Sequence, residues 1–419
     1  MANTTKPFKM TLRAYQVGFG DCFLLTFHYK DDRDRNVLID FGSKRKPKGY
    51  EGNVMVDVAT DIHEKCGGRL DLVVATHRHQ DHISGFATAS NGKGSGDIIA
   101  SCKVGAVIQP WTEHPDAKDP DLKAPGISVQ SKAFAMALNN MHSVADAALS
   151  EVAAKSFRMM GASEVETVAD NNTKNASAVN NLFNMSARRL YVSYGSKPSL
   201  KKELPGVSVR FLGPPTLEDN PSITSEGEVA EEFWALQSGA GQVAARRRAL
   251  FRNADRYTDF PSRANWFVAR MRAVRGSQLK GIVHAIDGAL NNTSLIILFT
   301  VKSKKLLFPG DAEIENWSYA LKQPGVKKLL SSVNLYKVGH HGSTNATPRQ
   351  SLWENFKYRG KAGKFRTVIS TMKGVYPGKK VGSEVPRTKL IGELKANSEY
   401  HSTEDVKSPG LCEEIEFLF

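Results

Sequence analysis

Short apolar runs separated by glycine and by charged turns dominate the first hundred residues. TLRAYQV is followed by Gly18-Phe19-Gly20-Asp21, then CFLLTFHY, the turn KDDRDRN, and VLIDFG. Runs of this length bounded by turn signals predict strands, so a pair of hairpin-like strands precedes a third that ends at Asp40. The stretch VMVDVATDIHEKCGG predicts a helix closed by its glycine pair. The apolar LDLVVA that follows predicts a buried strand.

After VGAVIQP the pattern changes. Residues 111–205 are polar, rich in Ala, Ser and Asn, and include QSKAFAMALNNMHSVADAALSEVAAKSF, which has helical periodicity. The strand-like GVSVRFLGP then interrupts before a second block, 217–280, with EVAEEFWALQSGAGQVAARRRALFR and RANWFVARMRAVRG as amphipathic helices with basic faces. The final third returns to strands in TSLIILFTV, KKLLFP, VNLYKVG, RTVIST and CEEIEFLF. With no internal repeat, this predicts one α/β domain over residues 1–419, interrupted by helical insertions at 111–205 and 217–280.

Composition narrows the class. A chain of 419 residues buries a core without staples. Cys22, Cys66, Cys102 and Cys412 are far apart and form no CxxC pair, which argues against a disulfide framework or a cysteine-rich zinc site and favours a reducing cytoplasm. No run of about 18 apolar residues occurs, so neither a signal peptide nor a membrane span is expected. The net charge of +14 points to an anionic partner, nucleic acid or a phosphorylated small molecule, although solubility alone explains it equally well. Arg246, Arg247, Arg248 and Arg252, with Arg270, Arg272 and Arg275, fit either a phosphate-binding groove or solvated helix faces. Trp234 and Trp266 are expected to anchor helices in a core.

The chemistry concentrates at strand ends. THRHQDH, residues 76–82, follows the LDLVVA strand and carries three histidines and one aspartate. His77 and His79 are two apart, so on an extended segment they point the same way and can share one metal. Asp81 and His82 follow on a turn and can face a second. Imidazole with carboxylate suits zinc, manganese or iron, any of which can lower the pKa of bound water. KKLLFPGDAE places Asp311 after another strand, where a carboxylate can bridge two cations. LYKVGHHGST places His340 and His341 after a third. His28, His63, His142 and His401 lack sequence partners and are expected to be structural, and so is His114 in WTEHPD.

These stretches together resemble the metallo-β-lactamase superfamily, and within it the hydrolase domain of the ComEC competence proteins. VGFGDCFLL, LIDFGS, THRHQDH, NNTSLIILF, LLFPGDAE, YKVGHHGS and the closing YHSTEDVKSPG carry the resemblance, which runs from about residue 11 to the C-terminus and skips both insertions. It implies an αββα sandwich with two divalent metal ions, zinc or manganese, at one sheet edge. His77 and His79 would bind one metal, and Asp81, His82 and His340 the other, with Asp311 bridging. Asp40 would orient a ligand histidine from behind, with Thr76 and Ser343 also supporting the site. His341, Ser343 and Thr344 would touch the scissile group or orient the loop, either of the paired histidines being arguable as the ligand with His340 preferred, and Asp81 or Asp311 would take the proton of the attacking water.

The chain departs from that pattern in two places. NNTS stands where the superfamily has a lone histidine, leaving Asn291, through its amide oxygen, or His284 as an extra ligand. VYPGKKVGSEVPR stands where the branch has Gly-His-Pro-His. The expected activity is metal-dependent phosphodiester cleavage by a metal-bound hydroxide. The alternatives are hydrolysis of a small ester, lactone, thioester or cyclic nucleotide, and a nucleic-acid-binding or effector subunit with a weak metal site. Substrate identity, oligomeric state and protein partners are not legible at this level.

Overall fold

The apolar runs become strands. In a computed structural model, which describes residues 6–119, 121–123, 126–139, 175–224, 287–343, 345–376, 384–407 and 409–419, β1 (Lys9–Tyr15), β2 (Cys22–His28) and β3 (Arg35–Phe41) pair antiparallel in succession. β4 (Arg69–Val74), β5 (Lys103–Pro110) and β6 (Arg189–Val192) then add in parallel beyond β3. A second sheet starts with the antiparallel β7 (Ser208–Gly213), β8 (Ile296–Val301) and β9 (Lys304–Phe308), and continues in parallel through β10 (Leu335–Lys337), β11 (Arg366–Ile369) and β12 (Glu399–Ser402). The last strand, β13 (Cys412–Leu418), returns to the first sheet beside β1, so both sheets are mixed.

Strand side chains alternate between faces, and here both faces of the central strands are covered, which is why their sequences read as near-continuous apolar runs. One cluster is shared by the two sheets: Leu25, Val37, Val74 and Ile108 from the first meet Ile297, Leu306, Leu335 and Val368 from the second. The other face of the first sheet, with Leu38, Val73 and Val107, packs with the helices Val54–Lys65 and Ser95–Ala100 through Val58, Ile62 and Ile99. The other face of the second sheet, with Leu298, Leu307 and Tyr336, packs with the helices Ile314–Lys322 and Thr388–Asn397 through Trp317, Leu321 and Leu394. The layers therefore run helices, sheet, sheet, helices.

The chain divides into two compact units. The first comprises residues 1–115, 175–223 and 291–419 and contains both sheets; the second comprises 116–174 and 224–290. The insertion expected at 111–205 is therefore too long at its C-terminal end. The helix Ala176–Asn184 belongs to the first unit, where Asn181 Nδ2 donates to Phe86 O at 2.8 Å and to Gly96 O at 2.9 Å, and β6 pairs with β5. Composition hid both: they sit in an Ala-, Ser- and Asn-rich stretch whose tertiary pairing overrides its weak local signal. His142, Trp234, Arg246, Arg247, Arg248, Arg252, Trp266, Arg270, Arg272, Arg275, His284 and Thr344 lie outside the described residues. Among the described residues no helix is long and apolar enough to cross a membrane.

Candidate metal centre

Asp40, near the end of β3, clamps the histidine motif from behind. Its Oδ1 accepts from Thr76 N at 2.7 Å, while Oδ2 accepts from Thr76 Oγ1 at 2.7 Å and from His82 Nδ1 at 2.9 Å. With Nδ1 donating to Asp40, His82 turns Nε2 toward Asp311, where a bound metal ion would displace the proton that the carboxylates otherwise hold on it. The motif is also wedged from the N-terminal side, because Asp21 N donates to Asp81 O at 2.9 Å. A Cβ on Gly20 would lie 2.3 Å from Gly42 O and 2.7 Å from Asp81 O, and one on Gly42 would lie 2.4 Å from His82 N. Only glycine permits so close an approach of three backbone segments.

Four residues converge from loops far apart in the chain. Asp311 Oδ2 is 3.0 Å from His82 Nε2 and 3.5 Å from His341 Nε2, and His341 Nε2 is 3.2 Å from Asp81 Oδ2. Asp81, His82, Asp311 and His341 are all buried and could hold a metal ion, each offering one ligand atom within 4.8 Å of the others. His77 Nε2 and His79 Nδ1 face each other at 2.9 Å, and the His77 ring lies 4.1 Å from that of His82, centroid to centroid. Both rings are buried. Asp81 Oδ1, also buried, has no hydrogen-bond partner. A buried carboxylate beside imidazole nitrogens is a donor set that fits a divalent metal.

The two neighbouring histidines of the HHG turn separate. His341 Nδ1 donates to Ser370 O at 3.0 Å, which turns Nε2 into the cluster. The sequence reading preferred His340 as the ligand, but its ring stands outside the four-residue group. Its Nδ1 is 3.1 Å from Ser343 Oγ and 3.2 Å from Glu313 Oε1, and its side chain is 24% exposed. Asn291 joins this flank: Nδ2 donates to Glu313 Oε1 at 3.0 Å, and the buried Oδ1 has no hydrogen-bond partner. His114 packs on Tyr191 and takes no part in the cluster, whereas His28 and His401 pair with Asp34 and Glu413.

Two groups that the sequence reading did not single out complete the site. Lys337 is buried with its Nζ against Asp21 Oδ2, 3.3 Å from Asp311 Oδ1 and 3.1 Å from Gly310 O. Asp21, Asp40 and His82 form a second group that could hold a metal ion, yet the ammonium of Lys337 already sits on Asp21 and Asp40 is satisfied by three donors. The signals for both residues were present. Asp21 ends the GFGD turn just before an apolar run, and Lys337 is a lone cation inside the strand that leads to the histidines.

Electrostatics follow from this packing. Burial works against a charge on His82, but Asp311 and Asp40 outweigh it and hold its pKa well above the usual imidazole value. His77 goes the other way, pushed well down by burial and by its neighbours His82 and His79. Burial tends to raise the Asp311 carboxyl, yet His82, Lys337 and His341 keep it well below the ordinary range. Backbone strain gathers at the same place: Asp40, His340 and His341 have φ of 55°, 45° and 49°, a left-handed conformation that non-glycine residues adopt at a cost of about 1–3 kcal/mol.

In comparisons with known proteins, no family model matches the chain and no curated protein gives a match.

Proposed function

We propose that this chain is a metallo-hydrolase of the metallo-β-lactamase type that cleaves phosphodiester bonds, with nucleic acid as the substrate class. One observation carries the reading: the strand-end loops of two sheets meet so that Asp81, His82, Asp311 and His341 converge beside His77 and His79. His77, His79 and Asp311 would hold one divalent ion, and Asp81, His82, Asp311 and His341 a second, zinc or manganese. Bound there, the pair would supply a hydroxide at neutral pH and charge stabilisation for the phosphoryl oxygens.

The protein's own part is positional. Asp40 fixes the tautomer of His82, Ser370 O fixes that of His341, and Lys337 holds one oxygen of Asp311 so that the other faces the imidazoles. His340, the ring in reach of solvent, would hand a proton to the leaving oxygen, with Glu313 and Ser343 meeting its Nδ1. The net charge of +14 supports an anionic polymer as substrate, and the four free thiols support a reducing, cytoplasmic setting.

The test is hydrolysis of bis(p-nitrophenyl) phosphate, single- and double-stranded DNA, and RNA, with manganese or zinc, by the native chain and by Asp311→Ala. Phosphodiester cleavage that the substitution abolishes is expected. Bound metal with cleavage only of carbon esters would move the activity to that class, and nucleic-acid binding without metal would replace catalysis by a binding role.

A further inference from the structure

Cys66 and Cys102 stand 36 positions apart in the chain, yet their Sγ atoms lie 4.0 Å from each other. Cys66 ends the helix Val54–Lys65, and Cys102 immediately precedes β5. Backbone hydrogen bonds fix both neighbourhoods: Arg69 N donates to Cys66 O at 3.1 Å, and Lys103 N donates to Gly68 O at 2.9 Å. A disulfide has a bond length of about 2.0 Å, so the sulfurs need to approach by only about 2 Å, which rotation about the two χ1 torsions supplies. Cys22 and Cys412 form no such pair. They stand on β2 and β13 with β1 between them, two strand spacings or roughly 9–10 Å apart, beyond the reach of a disulfide.

Both thiols of the close pair are buried, but directly under the surface. Lys65, Gly67, Ser101 and Lys103, their immediate neighbours in the chain, are all exposed, and a side-chain carbon on Gly67 would meet nothing within 4 Å. A small oxidant therefore has a short way in. The two sulfurs are also chemically unequal. Hydrogen bonding with Cys102 draws the Cys66 thiol below its ordinary pKa against the effect of burial, while the same contact and burial push Cys102 up. A nucleophilic thiolate with a second thiol in contact is the arrangement that closes a disulfide before over-oxidation sets in.

We infer that Cys66 and Cys102 form a reversible disulfide in response to a peroxide, a modification site at the opposite end of β4 from the histidine motif. The Cys66 sulfur attacks one peroxide oxygen, the O–O bond breaks, and the departing hydroxide takes up a proton, leaving water and a sulfenic acid. The Cys102 sulfur then attacks the Cys66 sulfur. The S–S bond forms as the S–O bond breaks, and the leaving hydroxide carries off the Cys102 proton as a second water. Two thiols thus lose two electrons and two protons while the peroxide is reduced to two waters, and a dithiol reductant reverses the bond by exchange. The bond closes residues 66–102, with β4 and THRHQDH inside, into one loop and so restricts the unfolded chain.

The experiment exposes the full chain to hydrogen peroxide at neutral pH, alkylates it with iodoacetamide and digests it with trypsin without reductant. Mass spectrometry is expected to find the peptide Cys66–Arg69 joined to Gly94–Lys103 with two hydrogens lost, Cys22 and Cys412 not joined to each other, and both peptides freed by dithiothreitol. By circular dichroism the oxidised chain should unfold at a midpoint at least about 3 °C above that of the reduced chain, a difference that Cys102→Ser abolishes. Cys66 and Cys102 recovered alkylated, or as sulfinic acids without a bond between them, would overturn the inference. So would a disulfide that forms only in urea, or an oxidised midpoint no higher than the reduced one, because the bond would then not fit the folded chain.

Discussion

Lys337 aims its ammonium at Asp311, 3.3 Å from Oδ1, from inside the strand that leads to the paired histidines. The same nitrogen pairs with Asp21, so one buried cation serves two buried carboxylates. Burial works against its charge, but Asp21 and Asp311 together keep its pKa above the usual lysine value.

Lys337→Met leaves both carboxylates without their cation. Removing one partner of a buried ion pair costs about 3–5 kcal/mol, so the metal-free variant should lose that much stability in a urea titration. The double variant Lys337→Met/Asp21→Asn, which removes a charge from each side, should recover a large part of it. Unchanged stability in the single variant would show that Lys337 does not neutralise this pair.

His341→Ala and His340→Ala distinguish the two adjacent rings. Only His341 turns a nitrogen into the four-residue group, 3.2 Å from Asp81 Oδ2. Zinc affinity measured by calorimetry should fall at least roughly tenfold for His341→Ala and little for His340→Ala, as expected for a direct ligand and a neighbour outside the group. The reverse order would restore His340 as the ligand.

Asp40→Asn keeps the shape but weakens acceptance from His82 Nδ1 and Thr76. Losing a carboxylate that orients a ligand imidazole costs roughly 10–100-fold in metal affinity. With zinc bound, the nitrogen chemical shifts of His82 should show a mixture of tautomers in place of one.

Gly20→Ala places a methyl group 2.3 Å from Gly42 O and 2.7 Å from Asp81 O, both backbone atoms that cannot rotate away. A loss of about 1–3 kcal/mol is expected, typical of overpacking, with weaker metal binding because the Asp81 segment must shift. Thermal unfolding and metal titration check the two halves separately.

Much of this architecture is legible along the chain because buried strands advertise themselves: CFLLTFH and RNVLIDF admit few other readings, and polar clusters placed straight after such strands mark the sheet edge. What adjacency cannot decide is direction. His340 and His341 are neighbours of identical chemistry, and left-handed backbone at both is what sends one ring inward and leaves the other at the rim. Long-range pairing is equally opaque. Cys66 and Cys102 read as distant, yet their Sγ atoms lie 4.0 Å apart, because Lys103 pairs with Arg69 at the start of the β4–β5 ladder. Lys337 escaped notice for a related reason: a lysine in a strand is ordinarily an exposed one, and only the fold places Asp21 and Asp311 on either side of it.

The most direct test of the metal centre is metal content per chain by mass spectrometry after equilibration with micromolar zinc or manganese, for the native protein and Asp311→Ala. On the proposed two-ion reading, two ions in the native chain and fewer than one in the variant are expected, since both ions would share Asp311. A native chain that takes up no metal, or a variant that loads as fully as the native protein, would contradict the assignment of this cluster as the reaction centre.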